Sequence, residues 1–239
     1  MNASLPEPDI TPERAVLWMG LPSFCLSYVR DVSPAELLLR LGAPATAFES
    51  LTLDASDSLV DYENPGSLMR FGVLGRWSFC FETWGIVAGS NWGLTRMSSG
   101  TEALSYLSGG DGMDIVQSWQ DAQPVELFEP GSFGSLRAHH DHPLWDAAHS
   151  HRNTLPDPAQ SGAARESSLK AIHDRVQAHI TPELITQALP SVWLPETSAM
   201  RRNGANPLPL VAPQPSPRTL GAFLGSLQPP SDSGPNSAP

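Results

Sequence analysis

The sequence predicts an α+β domain: an antiparallel β-meander sheet of four to six strands, flanked by an N-terminal helix and C-terminal helices. Three observations carry that expectation. Ser33-Pro-Ala-Glu36 opens a capped helix; several short runs alternate apolar and polar residues with turn residues between them; and no helix-length pattern separates those runs, which disfavours βαβ units.

Taken in order, residues 1–14 read as a flexible leader rich in Pro and acidic residues, and residues 15–196 as a single domain. Ser23–Val29, with its β-branched and aromatic content, reads as a strand or as the apolar entry to the helix that follows. Ser33 then serves as N-cap, Pro34 as N1 and Glu36 as N3 of a helix over Pro34–Leu41. Gly42 supplies the stop, and Val32 is placed to staple the Leu37, Leu38 and Leu41 stripe. After a variable loop, Pro44–Gly66, the runs Leu68–Leu74 and Trp77–Thr83 flank Gly75-Arg76, a two-residue hairpin connection. In the second run Trp77, Phe79 and Phe81 face one way, and Ser78, Cys80 and Glu82 the other.

Thr101–Ser108, Asp114–Gln120 and Pro124–Phe128 read as further strands, the last two joined around Asp121. From Arg137 to Arg152 the periodicity lapses into a His-rich loop. Leu169, Ile172 and Val176 then mark a helix over about Ala164–His179, and Thr181-Pro-Glu-Leu-Ile185 caps a second, short one. From Thr197 the composition shifts: nine of the last 39 residues are Pro, with Ser, Asn and Gly between them. Such a segment buries too little apolar surface to offset its ordering entropy, so residues 197–239 read as a disordered tail. Its Pro-Gln-Pro-Ser-Pro217 run suits polyproline II, and Leu220-Gly-Ala-Phe-Leu224 is its one apolar island, a candidate docking segment.

The formal charge of −11 argues against nucleic acid and against an anionic membrane surface as partners, because both are held through Lys and Arg; a basic protein partner suits it better. The N-terminal residues lack the apolar run of a secretory signal, and no stretch is long and apolar enough to span a bilayer. A cytoplasmic location is the corresponding expectation. Cys25 and Cys80 lie in apolar runs without metal-type spacing and read as buried, reduced thiols.

With these segments in view, Cys25-Leu-Ser-Tyr-Val-Arg-Asp-Val-Ser-Pro-Ala-Glu-Leu-Leu-Leu-Arg-Leu-Gly42 resembles the opening of a family of small actinobacterial proteins of uncharacterised biochemistry. That opening runs Cys-Leu-Thr-x-Val-Arg-Gly-x-x-Pro-x-Glu-x-x-x-Arg-Leu-Gly. Trp77-Ser-Phe-Cys-Phe-Glu82-Thr-Trp-Gly85 is similar to the family's Trp-x-x-x-x-Glu-x-Asn-Gly element, with Trp84 in the Asn position. Phe128-Glu-Pro130 and Thr181-Pro-Glu-Leu-Ile185 also have counterparts. The resemblance implies a fold shape and a bacterial source; it implies no reaction.

Candidate sites follow from residue chemistry. Glu82 and Glu129 are carboxylates at strand ends: a pair able to divide acid and base work, part of a binding surface, or simply acceptors for turn backbone. Trp84, Trp92 and Trp119, with Gly85 and Gly89, gather around the loop after the second strand of the hairpin. There they are either core or an interface anchor. Five histidines crowd His139–His151, with Asp141 and Asp146. Their side chains suit Zn²⁺ but lack a known zinc spacing, so a solvated polar loop competes with a metal site. No phosphate loop, nucleophile elbow or Cys–His pair is present. The reading that results is a non-catalytic protein–protein interaction module, possible in immunity-type form. It has no cofactor, metal or catalytic residue, and it binds through Glu82, Trp84, Gly85, Trp92 and Glu129. A metal-dependent hydrolase using the His139–His151 loop with Glu129 or Asp141 is the alternative.

Overall fold

The computed structural model describes residues 21, 23–43, 49–59, 66–83, 85–109, 112–160, 162–197 and 208–211. The expected leader, residues 1–14, lies outside them, as do Trp84 and, within the expected tail, residues 198–207 and 212–239.

The elements run β1 (Phe24–Arg30), α1 (Pro34–Arg40), β2 (Glu49–Leu51), α2 (Leu53–Asp57), β3 (Gly66–Leu74), β4 (Trp77–Thr83), α3 (Asn91–Met97) and β5 (Glu102–Ser108). They continue with β6 (Asp114–Gln120), β7 (Gln123–Glu129), β8 (Ser132–Ala138), α4 (Pro143–Thr154), α5 (Ala163–Val176), α6 (Pro182–Thr186) and β9 (Leu189–Pro195). Mixed helices and an antiparallel sheet agree with the expected class. The strand count does not: among the described residues the sheet has nine strands, in the order β2-β9-β3-β4-β1-β5-β6-β7-β8.

It is also not a plain meander. β1 is inserted at the centre, with Ser27 opposite Cys80 of β4 on one side and Ser105 of β5 on the other. The strands that sequence reading passed over have weak patterns. β2 is three residues long, β8 carries Ser, Gly and Arg among its seven residues, and β9 has a proline at its second position and another at its last. Thus Pro44–Gly66, read as a loop, contains β2 and α2. The expected His-rich loop begins inside β8 and is mostly α4.

Alternation along the strands divides the core into two layers. Phe24, Leu26 and Tyr28 of β1, Trp77, Phe79 and Phe81 of β4, and Leu104 and Tyr106 of β5 share one cluster with α4 and α5. Val29, Cys80, Ala103 and Trp119 of the same sheet share the other with α1 and α3. Helices on both faces bury β4 along its whole length. In α1 the Glu36 N–H donates to Ser33 Oγ at 3.2 Å, as the cap spacing predicts, but the Glu36 carboxylate turns forward to Arg40 at 3.0 Å instead of closing a reciprocal box. Val32 is buried with Leu37, Leu38 and Leu41, as the staple requires.

The outer edge of β8 is partly covered. Ala138 N–H donates to Pro209 O at 3.1 Å and Val211 N–H to Leu136 O at 2.9 Å, so residues 208–211, inside the expected disordered tail, form a short antiparallel strap. Leu208 is buried against the domain and Val211 packs on its core. Covering an edge strand in this way removes a template for unwanted strand pairing.

Candidate functional site: the loops at one end of the sheet

The pairing register gathers three turns at one end of the sheet. Glu82 lies opposite Cys25, Cys25 opposite Leu107, Leu107 opposite Ile115, Val116 opposite Phe128, and Glu129 opposite Ser132. The loop leaving β4, the β5–β6 turn and the β7–β8 turn therefore emerge together. Glu82 and Glu129 share this end but are separated by four strand spacings, about 19 Å, too far to act on one bond.

Glu82 is fully buried. Its carboxylate accepts from Ser67 Oγ at 2.5 Å, Val87 N–H at 2.8 Å and Ala88 N–H at 3.0 Å. Burial pushes its carboxyl above the ordinary range, and these donors pull it back. A side chain so enclosed touches no partner; it holds the following loop. Gly85 and Gly89 complete that hold, because a Cβ would meet Ser67 Oγ at 2.1 Å at the first and Cys25 Sγ at 2.3 Å at the second. Gln117 Nε2 donates to Gly89 O at 3.2 Å, tying the loop across to β6, and Ser90 caps α3 by accepting from Gly93 N–H at 3.1 Å.

The loop so fixed presents Ile86 with 50 % of its surface exposed, and the β5–β6 turn presents Met113 at 45 %. Trp92, on the first turn of α3, is half-buried, with the Arg96 guanidinium 4.9 Å above its ring. Trp119, by contrast, is core, its Nε1 bonded to Gln117 Oε1 at 3.3 Å. Glu129 is exposed beside the β7–β8 turn. Ile86, in the run Gly85-Ile-Val-Ala-Gly89, and Met113, after Gly109-Gly-Asp-Gly112, carry no signal in the sequence alone, because their exposure becomes legible only once the turns are known to share an end.

The five histidines of the His139–His151 stretch do not converge on one point. His142 bonds Asp146 at 3.0 Å, His149 stacks on Trp145, and His151 bonds Asp174 of α5 at 2.8 Å. Among the described residues no group of three or more His, Cys, Asp and Glu side chains is placed to hold a metal ion. The two thiols are buried; burial pushes Cys25 up to about 12 and Cys80 upward as well, which suppresses the reactive thiolate.

One buried acid escaped notice. Glu126 is 1 % exposed and accepts Leu144 N–H at 3.1 Å and Trp145 N–H at 2.5 Å, closing the start of α4 where His142 makes no side-chain cap. Burial pushes its carboxyl up to about 7. Its position, two residues before the inward Phe128 on an alternating strand, was the available signal.

A family model described as "Family of unknown function (DUF6461)" matches residues 15–151, more than half of the chain. No curated protein and no solved structure matches it. Among the described residues no helix is long and apolar enough to cross a membrane.

Proposed function

This chain belongs to the DUF6461 family of unknown function, and from that premise we propose that it is a non-catalytic protein–protein interaction module that binds through the loops at the β4 end of its sheet. The observation that carries the reading is that two turns at this end each expose an apolar side chain, Ile86 on the loop held by the buried Glu82 carboxylate and Met113 on the β5–β6 turn. A rigid backbone presenting apolar side chains loses little entropy on docking. Exposed Glu129 at the same end and the net charge of −11 favour a basic partner, attracted over a distance before contact. Neutralising a basic toxin, as an immunity protein does, is one concrete form of the reading, and a cytoplasmic site of action goes with it.

The test is retention of a protein from native lysate on immobilised full-length chain, compared with Ile86→Asp and Met113→Asp. A partner held by the wild type at defined stoichiometry and lost with both variants supports the proposal. A partner indifferent to both substitutions, or no partner, overturns it.

A further inference from the structure

The apolar end of the sheet and the tail are connected by the direction of the strap. Residues 208–211 run antiparallel to β8, from the level of Ala138 toward that of Leu136. They therefore head for the start of β8, which is the end where Ile86, Met113 and Glu129 emerge. Val211, the last described residue of the strap, is directed toward that end, and the next eight residues in the sequence, 212–219, contain three prolines. Eight residues at the polyproline II rise span up to about 25 Å. Met113 lies three strand spacings from the strap and a further three residues along the strands. That is about 14 Å across and about 10 Å along, inside that span. Immediately after these eight residues comes Leu220-Gly-Ala-Phe-Leu224. A segment with Leu and Phe set among small residues suits the exposed apolar side chains at this end of the sheet, Met113 and Ile86.

We propose that Leu220–Leu224 docks on these side chains within the same chain, so that the tail covers the partner surface and an arriving partner must displace it. The inference rests on the partner reading above, since it names what occupies that surface when no partner is bound. The strap makes the contact effectively intramolecular. Tethering of this kind raises the local concentration of the segment into the millimolar range, so a weak contact is enough to hold it.

The test uses the full-length chain with two introduced cysteines, Met113→Cys and Phe223→Cys, under mild oxidation; native Cys25 and Cys80 are buried and do not compete. The control pairs Phe223→Cys with Val125→Cys. Val125 is 37 % exposed on β7, two strand spacings from the strap and as easily reached by the tether as Met113, but away from the apolar end. The expected result is a disulfide within one chain at position 113, forming at least about tenfold faster than at position 125. Equal rates at the two positions, or no cross-link at 113, overturn the inference. A cross-link only between two chains also overturns it, in favour of a second copy as occupant. Absence of the cross-link alongside Ile86-dependent capture of a partner removes only the tail. A cross-link without any Ile86-dependent capture removes only the partner reading.

Discussion

Replacing Glu82 by glutamine keeps the size of the side chain and changes one group. In the native protein Oε1 accepts from Ser67 Oγ and Val87 N–H, while Oε2 accepts from Ala88 N–H. Glutamine offers a single carbonyl. If it takes the Oε1 position, its NH₂ confronts the Ala88 N–H; if it flips, the NH₂ confronts the Val87 N–H, while Ser67 rotates to accept. Either way one buried backbone N–H is left facing another donor, at a cost of about 1–3 kcal/mol. Alanine leaves both backbone donors unpaired and opens a cavity, which takes the cost to about 4 kcal/mol. Urea unfolding followed by tryptophan fluorescence gives the global figure, and hydrogen exchange at Val87 and Ala88 gives the local one. Exchange there should accelerate by one to two orders of magnitude, roughly the same free energy read as an opening equilibrium. A glutamine variant within about 0.5 kcal/mol of wild type, with unchanged exchange at both amides, would refute the idea that this carboxylate holds the loop.

The other two predictions concern stability away from this loop. For Glu126 the folded value of about 7 stands above the ordinary 4.5, so the fold favours the protonated form. Its contribution is fully present below about pH 4.5 and is lost as pH rises to about 7; the interval corresponds to about 3 kcal/mol. The stability of wild type minus that of Glu126→Gln should therefore fall across this window, and a difference that stays flat or rises contradicts the reading. His142 and Asp146 act on the same carboxyl in opposite directions, His142 lowering and Asp146 raising it. At the β6–β7 turn Asp121 and Ala122 both have positive φ, 50° and 62°, a conformation that charges alanine about 1–2 kcal/mol. After the greater freedom of glycine in the unfolded chain is subtracted, Ala122→Gly should gain about 0.5–1 kcal/mol in urea unfolding.

The parts of the fold legible in the sequence were those set by local chemistry. Ser33 and Thr181 cap their helices as their spacing indicates, with Leu184 N–H donating to Thr181 Oγ1 at 3.3 Å. The β3–β4 hairpin turns at Gly75, with φ of 58°, and Leu74 pairs with Trp77 across it. The parts that escaped depend on distant segments. β9 is a strand because β2 and β3 flank it, with Leu189 opposite Leu51 and Val192 opposite Met69; its prolines alone argue the reverse. α4 starts after a histidine that does not cap it because Glu126, in β7, does so from across the core. At the site, Glu82 and Gly85 were visible as unusual residues. Their purpose, a fastened loop, required the positions of Ser67, Val87 and Ala88. Glu129 was rightly placed at a strand end, but nothing local shows how far along the sheet that end lies from Glu82.

The central position of β1 governs the order in which the protein can be completed during synthesis. Its neighbours β4 and β5 leave the ribosome well after it, and β3 gains its second partner only with β9, since Met69 pairs with Val192. From the end of β3 at Leu74 to the end of β9 at Pro195 is 195 − 74 = 121 residues, roughly 6 to 24 s of translation at 5–20 residues per second. Hairpins such as β3–β4 form within about 10 μs but are marginal alone, so throughout that interval the β9 side of β3 has no partner yet synthesised and is an edge open to intermolecular strand addition.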